Sequence, residues 1–306
     1  MTIVGRVCVL LAAVACAVPA AAAGPAVPAS GAGSVRATAA EAGVATLVRI
    51  RAAHHSGLDR VVFEFRGGLP ASLQVTYVPR LVEDASGLPV RIAGRALLRV
   101  RMEPAQAHDD TGDPTAPLRL AVALPNVMNI VRAGDFEAVT TYGIGLAKRT
   151  PFAVFTLTKP SRLVVDVGAA FPTVQRKVYF LDEPRFVANT PPFFTPVLRP
   201  VLPGTPATGV MDRIFAGPVA REDARGLRLL RSGATSFTRL GVRAGVARVQ
   251  LVGGCSSGGS TVTIAGEIMP SLRQFSTVDF VKIYDPAGRT EHPTGQVDSI
   301  PECLEP

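Results

Sequence analysis

Short apolar runs in strict alternation, each closed by a turn signal, constrain this chain more than any other feature. From Leu47 onward Val61, Phe63 and Phe65 alternate with Val62 and Glu64, and further runs cover Ser72–Val78, Pro89–Ile92, Ala96–Val100, Leu118–Leu124, Thr140–Leu146, Phe152–Leu157 and Arg162–Val167. Ser56-Gly57, Gly67-Gly68, Ser86-Gly87, Thr111-Gly112-Asp113 and Lys159-Pro160 separate them. A period of two sends successive side chains to opposite faces of a strand, so one face of each run is buried and the other is wet. Runs this short, with no helical stripe of useful length between them, predict an antiparallel β-sandwich over residues 46–168.

A different grammar follows a short connection at residues 168–176. Lys177–Leu181 reads as a strand. Thr205 is placed to cap a helix with Pro206 at its first position, Val210, Met211, Ile214 and Phe215 on one face, and Gly217-Pro218 as the stop. Phe237–Val242 and Val246–Leu251 read as a hairpin around Ala244-Gly245. Ile264, Ile268, Leu272 and Phe275 give a second helical stripe, which Pro270 is expected to kink or split. Phe280–Tyr284 closes with a strand. These elements predict a small α/β (α+β) sandwich over residues 176–306, and two domains suit a chain of 306 residues.

The N-terminus carries an address. Met1 to Arg6 holds one positive charge, Val7–Ala15 is apolar, and Ala17–Ala23 offers several A-x-A sites, so residues 1–23 read as a secretory signal. The apolar stretch falls short of the roughly 20 residues that a lasting transmembrane helix needs. Residues 24–45 are mainly Ala, Gly, Pro and Ser and read as a flexible tether. A secreted or envelope location follows, which argues against nucleic acid as a partner and against ATP-driven chemistry. Ala13-Val14-Ala15-Cys16 is also a degenerate lipobox, and membrane contact is expected only if Cys16 is lipidated. Beyond the signal two cysteines remain, Cys255 and Cys303, and an even pair in an oxidising compartment predicts a disulfide worth roughly 4 kcal/mol on the chain-entropy account. The formal charge is +8, from 32 basic and 24 acidic side chains. That excess suits a polyanionic surface. The abundance of Arg, Ala, Gly and Pro is equally what a GC-rich genome produces.

Two stretches carry a family resemblance. Leu58 to Phe65 (LDRVVFEF), Val75-Thr76-Tyr77-Val78, Gly134-Asp135-Phe136-Glu137, Tyr142 to Leu146 and Pro151 to Phe155 resemble the AMIN-like domain of exported actinobacterial proteins. AMIN domains are β-sandwiches that target envelope enzymes and secretion components to the cell wall, so the resemblance implies a wall-binding or targeting module with no catalytic role. It carries over no binding residue. Val178 to Leu181, Ile214 to Pro218, Gly226-Leu227-Arg228, Gly245 to Val249, Leu272 to Phe275 and Val278 to Ile283 are similar, in that order, to a GerMN domain, which implies a structural or ligand-binding role at the envelope. The stretch Gly253 to Gly259 departs from that family's pattern, which usually has an acidic residue there.

Candidate chemistry is sparse. Gly254-Cys255-Ser256-Ser257-Gly258 formally fits G-x-S-x-G, with Asp279 or Asp285 and then His292 in hydrolase order; a disulfide-pinned loop accounts for the same residues, and its exposed N–H groups could cradle an anion. His54-His55 lies in an expected turn beside Asp59 and Arg60. His108-Asp109-Asp110 with Asp113 reads as a solvated acidic loop, since its spacing is not that of a calcium loop. Arg225, Arg228, Arg239 and Arg243, with Arg231 and Arg248, are candidates for anion or wall contact if they share a face. Pro191-Pro192-Phe193-Phe194 reads as packing over the second core or as a surface docking loop. The expectation is a non-enzymatic envelope protein that needs no metal or cofactor and whose partner is a cell wall polymer or an envelope protein; a protein-binding scaffold is the alternative, and a Ser256 hydrolase a remote one. Sequence fixes no oligomeric state.

Overall fold

A computed structural model describes residues 32–36 and 43–306. The expected signal at 1–23, the lipidation site Cys16 and most of the tether lie outside the described residues.

The first lobe is a sandwich of two sheets. One has six strands in the order β1 (Ala32–Arg36), β4 (Ser72–Val78), β5 (Ala96–Glu103), β9 (Val139–Leu146), β8 (Val127–Phe136) and β7 (Arg119–Ala121). The other has five, β10 (Phe152–Thr158), β11 (Ser161–Gly168), β3 (Leu58–Arg66), β2 (Ala45–His55) and β6 (Ala105–Gln106). Pairing is antiparallel apart from the short β2–β6 contact. The alternation is obeyed: Val61, Phe63 and Phe65 point into the core with Leu73, Val75, Leu98, Val100 and Ile144. Tyr142 lies edge-on to Phe63, and its hydroxyl donates to Pro117 O, so the buried phenol keeps a partner.

Four boundaries differ from the sequence reading, each for a physical reason. The tether includes a strand, β1, because the open main-chain edge of β4 supplies hydrogen bonds that composition does not reveal. Pro89–Ile92 makes only a single bridge, Val82 to Pro89. The run Leu118–Leu124 leaves the sheet after Ala121, where the next carbonyls turn to the second lobe. The strand β8 gave no alternating signal because both its faces are covered: Val127 and Ile130 enter the sandwich core, while Met128 joins the core of the second lobe.

The second lobe holds two three-stranded sheets. One is ordered β13 (Phe194–Val201), β12 (Val174–Asp182), β14 (Leu227–Arg228); the other β15 (Ala234–Arg243), β16 (Val246–Gly253), β17 (Phe280–Tyr284). Its helices are α1 (Glu183–Val187), α2 (Pro206–Ala216), α3 (Ala220–Asp223) and α4 (Ala265–Arg273). Between β16 and its parallel neighbour β17 the chain passes through α4. Val210, Met211 and Ile214 of α2 and Ile268 and Leu272 of α4 bury the expected stripes. Thr205 is the N-cap of α2, but its side chain makes no capping bond. The helix α4 runs unbroken through Pro270. Phe194 fills the notch left by Gly266, where a Cβ would stand 2.1 Å from the ring, and Phe186 meets Phe193 edge-on, so the Pro-Phe segment packs rather than docks. Two prolines mask β13 in the sequence, and as an edge strand it tolerates them.

The lobes share buried polar bonds. Arg213 of α2, 1% exposed, donates to Pro200 O (3.1 Å) in its own lobe and to Val122 O (3.0 Å) and Leu124 O in the sandwich. Its neighbour Asp212 accepts from Arg95 Nε at 2.8 Å, and Arg95 in turn lies over the Phe237 ring.

Candidate functional site

Alternation along β3 sends Arg60, Val62 and Glu64 to the outer face of the five-stranded sheet, opposite the core residues. Register then sets their neighbours. Val62 pairs with Val164 of β11 and Arg51 of β2, and Arg60 pairs with Asp166 and Ala53. On this face opens a groove of about 700 Å³. Its floor is apolar, from Ala53 and Val62 of the outer face and from the departing Leu120–Leu124 segment. Its rim carries Arg51, Arg60, Arg162 and His55 of the sandwich, and Arg221 of α3 closes it from the second lobe.

Each rim cation is held differently. Arg60 forks onto Asp166 with two 2.7 Å bonds and lies over the Phe155 ring; the bond to Asp166, ahead of the opposing burial, raises its pKa. Arg51 pairs with Glu64 at 2.8 Å in an exposed position, worth at most about 1 kcal/mol. Arg162 donates to the carbonyls of Pro160 and Lys159. Arg221 is exposed and makes no ion pair among the described residues. An apolar trough with fixed and free cations at its edge can bind a chain that presents methyl groups and anionic groups together.

The residues singled out in the sequence are dispersed. His54 lies at the end of β2 rather than in a turn, with Nδ1 2.7 Å from Asp59 Oδ1; buried Asp59 uses its other oxygen to accept from the N–H groups of Asn126 (2.6 Å) and Val127 (2.8 Å), which makes it a clamp on the segment entering β8. His108 pairs with Asp135 at 2.8 Å, whereas Asp109 accepts from the N–H groups of Thr111 and Asp113 and the Thr111 hydroxyl. That loop is bound to itself. No group of three or more His, Cys, Asp or Glu suited to a metal occurs among the described residues.

Cys255 and Cys303 form a disulfide, Cα–Cα 5.7 Å, across a separation of 48 residues. The glycine-rich loop is fixed further by Ser257 N–H donating to Cys303 O at 2.6 Å and Ser256 N–H to Ser232 O at 2.9 Å. The Ser256 hydroxyl accepts from Gly258 N–H. Asp285 is occupied by Arg289, Asp279 packs at the hairpin turn beside Gly245, and the His292 ring faces Glu291 at 3.6 Å. Ser256 therefore has no histidine bond among the described residues.

Nor do the arginines share one face. Arg239, Arg243 and Arg248 line a shallow groove of about 670 Å³ along the β15–β16 hairpin. Arg228 is held by Glu183 (3.1 Å) and Asp223 (2.9 Å), Arg225 is exposed beyond α3, and Arg231 points toward Phe215 O at the end of α2. Sequence reasoning missed the groove rim, although the alternation of β3 already placed Arg60 outside; nothing in the sequence brings α3 to it.

Residues 45–169 match the AMIN-like domain family. Comparison with curated proteins found no match, and comparison with solved structures found none. An AMIN-like domain is typical of extracytoplasmic proteins and suggests a role associated with peptidoglycan or the envelope. No helix among the described residues is long and apolar enough to cross a membrane.

Proposed function

We propose that this is an exported, non-enzymatic cell-envelope protein that binds wall polymer in the groove on the outer face of its AMIN-like sandwich. The observation that carries the reading is the coincidence of the family match over residues 45–169 with an apolar trough rimmed by Arg51, Arg60, Arg162 and Arg221. Peptide stems of peptidoglycan present methyl groups and carboxylates in alternation, and such a chain satisfies floor and rim together. The signal-like residues 1–23 support export, with a lipid anchor at Cys16 as the variant route, and the family resemblance supports an actinobacterial source. For residues 176–306 we read a GerMN-like lobe; the expected order of strand, helix, hairpin, helix and strand supports this.

The test is sedimentation of the protein lacking residues 1–23 with insoluble peptidoglycan, beside a control protein of similar charge. Charge reversal at two exposed rim positions, Arg51→Glu with Arg221→Glu, should weaken binding about tenfold or more, as loss of charge-assisted bonds does. Wild type that sediments no more than the control removes wall targeting and selects the scaffold reading. Ester hydrolysis abolished by Ser256→Ala would overturn the non-enzymatic reading.

A further inference from the structure

The β15–β16 hairpin of the second lobe carries a cationic groove on its outer face. Alternation along β16 turns Ala247, Val249 and Leu251 to the core, so Val246, Arg248 and Gln250 face outward. Register sets Gly241 of β15 opposite Arg248, and Arg243 opposite Val246. Arg239 reaches this face only through a bulge. Regular alternation from Thr238 would send it inward; instead Arg239 and Leu240 together oppose Val249, Leu240 packs on the core, and Arg239 takes a left-handed backbone, φ 50°. A bulge of this kind re-aims a side chain, and a left-handed residue other than glycine carries a cost.

Arg239, Arg243 and Arg248 line one groove of about 670 Å³, with Gln296 in its wall, where the side-chain amide donates to Ala244 O at 3.2 Å. The space between the arginines is open: a Cβ on Gly241 would meet no atom within 4 Å. No carboxylate lines the groove, and Asp279, at the hairpin turn, lies outside its lining. None of the three arginines forms an ion pair among the described residues. A fourth cation stands in register beside Arg248: buried Lys282 of β17, whose ammonium donates to the carbonyls of His292 and Thr294. A concave surface edged by charge of one sign concentrates the opposite sign.

We propose that this groove binds a phosphodiester chain, a linear polyanion whose successive phosphates lie along β15 and β16. A carboxylate is planar and fills one guanidinium fork, whereas a tetrahedral phosphate points its oxygens apart and bridges arginines of neighbouring strands. Arg239 and Arg243 stand four residues apart on β15, at about 3.3 Å per residue, a span that one phosphate does not fill. The open space at Gly241 takes the carbon link between two phosphates. This site is independent of the wall-binding reading above, since it uses none of the residues of the sandwich groove.

The test is titration calorimetry of the purified protein with a soluble synthetic oligomer of glycerol phosphate, beside poly-glutamate of matched charge and vesicles of phosphatidylglycerol. Saturable binding of the oligomer is expected, tighter than that of poly-glutamate. Arg243→Ser and Arg248→Met should each weaken it about tenfold, as loss of a charge-assisted bond does. Arg239→Gly suits the left-handed backbone, so it keeps the fold and should weaken binding as much. Gly241→Glu enters open space and sets a carboxylate among the cations, which should abolish binding. Arg225→Ser removes an exposed charge outside both grooves and should change affinity less than about twofold, because salt screens distant charges. No saturable binding, poly-glutamate bound as tightly, binding to vesicles but not to the oligomer, or a loss with Arg225→Ser equal to that with folded Arg239→Gly would each overturn the site.

Discussion

Replacing Arg213 with Met removes the guanidinium that joins the lobes while keeping most of its length. The side chain is 1% exposed, so the loss falls on its acceptors. Pro200 O, Val122 O and Leu124 O lose a charged donor, and Val127 O, at 3.4 Å, loses a weaker one. A buried group left without its partner costs about 1–3 kcal/mol. Val122 and Leu124 are half-buried, so water recovers part of that cost. Relief of burying a guanidinium, whose pKa burial drags down to about 9, offsets more. Asp212, in contrast, loses one of the two cations that favour its charge. The balance is a destabilisation of about 3 kcal/mol, the lower end of what breaking a buried charged contact costs. Urea unfolding followed by far-UV circular dichroism measures it, and hydrogen exchange should show faster opening over residues 119–131. A loss under about 1 kcal/mol, within the range of unremarkable surface changes, or faster exchange confined to the second lobe, would refute the assignment of Arg213 as the tie between lobes.

Two further perturbations test the same framework. Burial pushes the Asp212 carboxyl up to about 6 from 3.8, against the pull of Arg95 and Arg213; a raised folded pKa favours the fold while the group is protonated, so this contribution is complete below about pH 3.8 and is lost as pH rises through 6. Asp212→Asn stays neutral, and its stability relative to wild type should rise by about 3 kcal/mol between roughly pH 4 and 7, whereas a gap that does not change with pH would remove Asp212 from the account. Cys255→Ser with Cys303→Ser should lower stability by about 2–4 kcal/mol, read by thermal unfolding under oxidising conditions; two free thiols in the intact mass of exported wild type would contradict the crosslink.

The parts of the fold legible in the sequence are those where one face is dry and the other wet. Strand β4 and the β15–β16 hairpin obey that rule and lie within a few residues of their expected bounds. The strand β8 breaks it, because the second lobe covers its outer face and Met128 faces a core the local pattern cannot reveal. In β13, prolines conceal an edge strand. The disulfide was legible because the reading of export left two thiols, and an even pair in an oxidising compartment has one simple pairing. The groove was not, since it joins residues more than a hundred positions apart: Arg51 and Arg221 line one opening. The arginine series in the second lobe was visible as a run of charges, but strand register scatters it over separate faces.

Between Cys255 and Cys303 the chain is a covalent ring. The ring contains α4 and β17, which are buried, and also the stretch 286–297, whose residues are exposed apart from half-buried Thr290. Such an exposed stretch is where a protease cuts first. A single cut there opens the ring without releasing either end: β17 stays bonded to β16 in the sheet, and the terminal segment stays attached through sulfur. Nicked protein would therefore run at full length on a non-reducing gel and fall into two pieces only on reduction, so the crosslink converts the most accessible break in the second lobe from a loss of mass into a change of connectivity.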